Sequence, residues 1–252
     1  MDNSMYLSLS RQMTLRRELD IVANNIANAD TAGFKMEELL VKTEAVGKAR
    51  TSQVQGPVKF VIDDGITRDF GQGPLRKTGG SFDIAIEGQG FFTVQGPAGD
   101  PRYTRDGRLT LNPEGILVTQ AGAPVLGQGN AQINIDPAQG EVSIGKDGTL
   151  TQTNPETGQA TNVGRLAVVQ FEDRSALSKE GDNLFRNTSN AQPIPAEDAL
   201  VHQGMVEGSN VQQVVEITRL IEVTRAYERS SKLVDGNNDL SRRSIERLGR
   251  PN

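Results

Sequence analysis

The stretch that decides the fold is SFDIAIEGQGFFTVQGPAGDPRYTRDGRLTLNPEGILVTQAGAPVLG, residues 81–127. Phe82, Ile84 and Ile86 alternate with Ser81, Asp83 and Glu87, the period-two pattern of a half-buried strand. Glycine-containing turn pairs then recur: Asp106-Gly107, Glu114-Gly115, Ala121-Gly122, and beyond the stretch Gln139-Gly140, Asp147-Gly148 and Thr157-Gly158. Between them lie short β-branched runs such as 116–118, 142–144 and 168–169. Short strands with regular glycine turns predict an antiparallel sandwich or barrel-like domain. No long helical pattern separates them, which argues against a parallel α/β sheet.

Outward from this stretch the composition changes. Residues 1–35 hold a single glycine, Gly33, and no proline, and their charges sum to about zero. Met5, Leu9, Leu15, Leu19, Val22 and Ile26 fall within about 140° of arc at helical spacing, which predicts an amphipathic helix. Asp30, Thr31, Ala32 and Gly33 end it, Gly33 being suited to a left-handed terminus. From 204 onward the chain is again nearly free of proline and strongly periodic. Ile217, Thr224, Ser231, Asn238 and Ile245 form one seven-residue series, and Leu220, Tyr227, Val234, Ser241 and Leu248 a second, three residues on. Together they read as an a/d seam. Gly236 costs about 1 kcal/mol relative to alanine, so the helix should be weakest there. The expected fold class is α+β. Terminal helices form a coiled-coil-like helical domain (1–35 with 204–252), a segment over 36–80 connects, and a mainly antiparallel β domain spans 81–203.

Composition excludes several chemistries. The 252 residues contain no cysteine and one histidine, His202, so thiol catalysis, disulfides and paired-histidine metal sites drop out. The net charge of −5 offers no concentrated basic face for nucleic acid. No apolar run approaches the ~20 residues of a membrane span, and the N-terminus has no basic-then-apolar signal pattern. Gly140–Lys146 imitates a phosphate loop, but Asp147 stands where Ser or Thr must hold magnesium. Gly79-Gly80-Ser81-Phe82-Asp83 is half a nucleophile elbow, with the sole histidine far along the chain. Asp63 and Asp64 are adjacent, so on a strand they face opposite ways. Arg242, Arg243, Arg247 and Arg250 suit the negative end of a helix dipole as well as an anionic partner. No catalytic residue, cofactor, metal or small-molecule substrate is expected.

Residues 23–35, ANNIANADTAGFK, resemble the N-terminal signature of the bacterial flagellar axial proteins, the rod and hook family. IEGQGFF (86–92), YTRDG (103–107), LNPEGILVTQAGAPVLG (111–127), EGSNV (207–211) and RAYE (225–228) resemble the same family, so the likeness runs through essentially the whole chain. The opening residues resemble the proximal-rod branch more than the distal-rod branch, which stands as the alternative. A wall hydrolase clearing the rod's path is a further alternative, and it lacks a recognisable acid or nucleophile with its base.

The resemblance implies a structural subunit of the basal-body rod, the hollow shaft carrying torque from motor to hook. Its partners would be other copies of itself and neighbouring rod proteins. It would pass the flagellar type III export apparatus without a cleaved signal and would not be membrane-embedded. The implied assembly surface comprises Leu15, Leu19, Val22 and Ile26 of the first stripe, with Asn24, Asn25 and Asn28 fixing register through their amides. Thr31, Gly33, Phe34 and Lys35 complete the signature, Phe34 anchoring the chain as it leaves the helix. Ile217, Leu220, Ile221, Thr224, Tyr227, Ser231 and Val234 supply the C-terminal seam. Short helices are marginal unless packed, so residues 1–35 and 210–252 are expected to order on neighbours.

Overall fold

The computed structural model describes residues 2–46, 58–189 and 191–248. They fall into two compact units, one made of Met1–Ala27, Glu37–Asp69 and Gln212–Asn252, the other of Asn28–Met36 and Phe70–Val211.

The first unit holds the two α-helices found among the described residues, α1 (Asp2–Ala27) and α2 (Gln213–Leu248), and a two-stranded ribbon of β1 (Glu37–Val46) and β2 (Val58–Arg68). α1 contains neither glycine nor proline, and its C-terminal half buries Ile21, Val22 and Asn25. The ribbon is antiparallel, with a bulge between Leu40 and Val41, and both strands pack on α1. The helices run antiparallel. Ser230 donates to the Ser8 carbonyl at 3.5 Å, Arg219 meets Glu18 at 3.2 Å, and Glu216 lies beside Asn25 at 3.0 Å. α2 runs unbroken through Gly236.

The expected coiled-coil-like helical domain is not what the structure contains. One antiparallel helix pair shares its unit with a β-ribbon. The buried series on α2 is Glu216, Val223 and Ser230, one residue before the expected Ile217, Thr224 and Ser231. Leu220, Tyr227 and Val234 stay half-buried beside it, while Ile217 and Thr224 are exposed. Two of the three buried positions are polar, so the helices meet through hydrogen bonds as much as apolar knobs. The side chains of Asn238, Ser241, Ile245 and Leu248 and of the C-terminal arginines lie outside the described residues, as do those of Asp63 and Asp64.

The second unit is built of antiparallel sheets. Its largest sheet has six strands, β5 (Phe91–Gln95), β6 (Pro101–Thr104), β12 (Val168–Gln170), β13 (Leu177–Lys179), β14 (Leu184–Asn187) and β15 (Ile194–Pro195), in the order β13-β14-β6-β5-β12-β15. A three-stranded sheet joins β9 (Glu141–Ile144), β10 (Thr149–Thr153) and β11 (Ala160–Arg165). Three pairs complete it: β3 (Leu75–Lys77) with β17 (Met205–Glu207), β4 (Ile84–Glu87) with β16 (Leu200–Gln203), and β7 (Leu109–Leu111) with β8 (Leu117–Thr119). The inward residues of these strands, among them Ile84, Ile86, Phe92, Val94, Leu117 and Leu150, form one apolar cluster. A smaller aromatic cluster gathers Phe91, Tyr103, Phe171 and Phe185 in edge-to-face contacts. The imitation phosphate loop is β9 and the turn after it. His202 pairs with Glu87 at 2.6 Å, a cross-strand contact between β16 and β4.

Candidate functional site

Each unit gathers the signature residues through one buried polar network. In the helical unit the centre is Asn25. Its Oδ1 accepts the Glu37 N–H at 3.0 Å, and its Nδ2 donates to the Glu37 carbonyl at 2.8 Å and to Glu216 Oε2 at 3.0 Å. The amide thus stands in for a strand partner at the start of β1 and ties it to the first turn of α2. Glu37 Oε1 in turn accepts from Arg68 Nε at 2.9 Å, on the other strand of the ribbon. Arg219 joins Glu18 of α1 and, at 3.6 Å, Glu38 of β1. The acidic Glu216 in the first turn of α2 also suits the positive end of the helix dipole.

In the β unit the centre is Glu207. Lys35 Nζ donates to Glu207 Oε1 at 2.6 Å and to the Gly71 carbonyl at 2.7 Å. The Gly73 N–H reaches the same carboxylate oxygen at 2.9 Å. Arg105 approaches Glu207 Oε2 at 3.3 Å and donates to the carbonyls of Ile86 and Gly88. The side chains of Lys35 and Glu207 are wholly buried, at 0% exposure. Burial pushes the Arg105 guanidinium below its ordinary range; Glu207 opposes that shift and Arg174 adds to it. Arginine stays protonated throughout the ordinary range, so it remains a cation there.

Backbone contacts draw the same segments together. The Gly33 N–H donates to the Glu207 carbonyl at 2.9 Å, and the Met36 N–H to Asn210 Oδ1 at 2.8 Å. Gly33 has φ +69°, and a Cβ there would lie 2.4 Å from the Asp106 nitrogen, so only glycine fits. Phe34 packs with Ala29, Met36 and Val211, with the Lys179 ammonium 4.2 Å from its ring centroid. Asn183 Nδ2 holds the Ala32 carbonyl at 3.1 Å.

The expected surface residues therefore separate. Val22 and Asn25 are buried in the helical unit, with Leu15, Leu19, Ile26, Leu220, Tyr227, Ser231 and Val234 half-buried. Gly33, Phe34 and Lys35 are buried in the β unit, where Asn28 and Thr31 are half-buried and joined at 3.2 Å. Asn24, Ile217, Ile221 and Thr224 face outward. The sequence reading did not single out Glu37, Arg105, Glu207, Asn210 or Glu216. Arg105, Glu207 and Asn210 sit inside YTRDG and EGSNV, so the motifs marked the place without giving the roles. Chemically the arrangement clamps. Around Glu207 the charged side chains are closed off from solvent, while Arg219 and Glu38 at the edge of the helical network stay partly exposed. Among the described residues no group of three or more His, Asp or Glu side chains could hold a metal, and no helix is long and apolar enough to cross a membrane.

Three family descriptions match the chain: flagella basal body rod protein over residues 5–35, flagellar hook protein FlgE/F/G D1 domain over 85–152, and flagellar basal body rod FlgEFG protein C-terminal over 202–247. A flagellar basal-body rod protein FlgF of Caulobacter vibrioides is 59% identical over 252 residues, covering the whole of both chains. A FlgF of Mesorhizobium japonicum is 35% identical over 99% of each chain. A flagellar basal-body rod protein FlgG of Buchnera aphidicola is 35% identical over 86% of this chain and 88% of its own.

Proposed function

The chain belongs to the flagellar basal-body rod protein family and is a structural component of the rod, and we propose that it joins its neighbours there through the outward face of α2. Val214, Ile217 and Ile221 fall within about 60° of arc on that helix, and they are 78%, 42% and 47% exposed. Glu216, Val223 and Ser230 occupy the opposite side, against α1. An apolar stripe left in water on a helix already packed behind marks a surface that a partner covers. This stripe carries the reading.

The partners are further copies of the chain and adjoining rod proteins. The subunit crosses the inner membrane through the flagellar type III export apparatus, without a cleaved signal, and takes its place in the periplasm-spanning rod. The greater identity to a FlgF than to a FlgG supports the proximal part of the shaft. The clamps around Asn25 and Glu207 would keep each unit from deforming under torque. The subunit catalyses nothing. Basal bodies purified from cells carrying a tagged chain test the proposal. The tag should be found in the rod, and deleting the gene should leave rods incomplete and cells unable to swim. Complete rods and normal swimming in the deletion strain would overturn it.

A further inference from the structure

Among the described residues before Phe70, only Asn28–Met36 falls in the β unit. We infer that this segment is a strap built into the β unit's own fold, seated in the free chain before any neighbour arrives. The inference does not depend on the rod reading, since it concerns the isolated monomer.

Four separate stretches of the β unit hold the strap. Gly71 takes the Lys35 ammonium, Asn183 takes the Ala32 carbonyl, and Glu207 and Asn210 take the backbone N–H groups of Gly33 and Met36. At the fourth, Gly33 lies against the Arg105–Asp106 peptide so closely that no side chain fits between. Phe34 fills an apolar pocket at 1% exposure, and Lys35 is 2% exposed beside it. A contact meant to form only on assembly would leave such groups solvated in the monomer. Here a buried ammonium lies on a buried carboxylate that Arg105 also approaches, so removing Lys35 takes away the nearer of the two cations that balance Glu207. Pulling the strap out would strip Glu207 of Lys35 and leave the Phe34 pocket empty. The N-terminal 35 residues, expected from the sequence to order together on neighbours, are thereby divided at Ala27: α1 lies on one side, the strap on the other.

Hydrogen exchange followed by mass spectrometry on the full-length monomer at high dilution tests this. In the unaltered chain, backbone amides of residues 32–36 should be as protected as those of the core strands at 91–95 and 117–119. Gly33→Ala, which inserts a methyl against the Asp106 nitrogen, and Lys35→Met, which keeps the stem and removes the charge, should each speed strap exchange by about 100-fold or more. Loss of the strap alone, or of strap and β unit together, supports the inference, and urea unfolding separates the two. Strap amides exchanging at the rate of an unstructured peptide in the unaltered monomer would overturn it. So would unchanged strap protection in both variants.

Discussion

The β unit and the helical unit differ in the balance of what they bury and in what they leave exposed. Inside the β unit, Ile84, Phe92, Leu117 and Leu150 close into one apolar cluster, and its charged cluster of Lys35, Arg105 and Glu207 is sealed within the fold. The helical unit buries Asn25, Glu37, Glu216 and Ser230, and leaves Val214, Ile217, Ile221 and Leu233 in water. The first is a finished fold. The second buries Ile21, Val22, Leu39 and Val223 yet leaves an apolar stripe of α2 in water, the stripe proposed above as the joining surface.

The largest expected effect lies in the β core. Phe92→Ala removes a fully buried ring and should cost the β unit about 3–5 kcal/mol. Urea unfolding followed by exchange at 117–119 measures it. Exchange in α1 should be unaltered; equal loosening of both units would erase the distinction between them. Asn25→Ala should act on the other side. It removes the hydrogen bonds that Asn25 makes to the Glu37 N–H and carbonyl and to one Glu216 oxygen, an expected loss of about 1–3 kcal/mol confined to the helices and ribbon. Faster exchange at 20–27 and 37–40 with an unchanged β-unit melt is the predicted result. A silent Asn25→Ala would mean that the network is decorative.

The smallest effect concerns acid. Hydrogen bonds from Thr149, with Arg165 assisting, hold the Asp147 carboxyl below its usual 3.8. A lowered folded pKa contributes stability above about pH 3.8 that is lost as pH falls through the folded value. Asp147→Asn should therefore lower β-unit stability slightly at neutral pH and flatten its decline in that acid window, as thermal melts across pH would show. A steeper decline in the variant would reverse the sign of this account.

The β unit was legible because alternation and glycine turns are local signals. Phe82, Ile84 and Ile86 point to a core in any antiparallel arrangement, whatever their eventual partners. The α2 seam was not. Reading apolar residues as buried selected Ile217, whereas the structure turns Glu216 inward because Asn25 is there to meet it. Nothing in the local sequence joins residues so far apart. The same holds for the strap. Phe34 and Lys35 stood out within the signature, but a buried Lys35 is intelligible only once Glu207 and Gly71 are beside it. A lone glutamate in EGSNV otherwise reads as solvated. Polar pairs between distant segments are the part of this fold that composition and periodicity cannot express.

The claim that the two units divide folding from assembly is tested most directly on the exposed stripe. Ile217→Asp and Ile221→Asp together place charge where a neighbour should pack while leaving Asn25, Val223 and Glu216 untouched. The monomer should melt as the unaltered chain does and be exported. It should be missing from purified basal bodies, and the cells should not swim. Normal swimming with the doubly altered chain present in the rod would contradict the account.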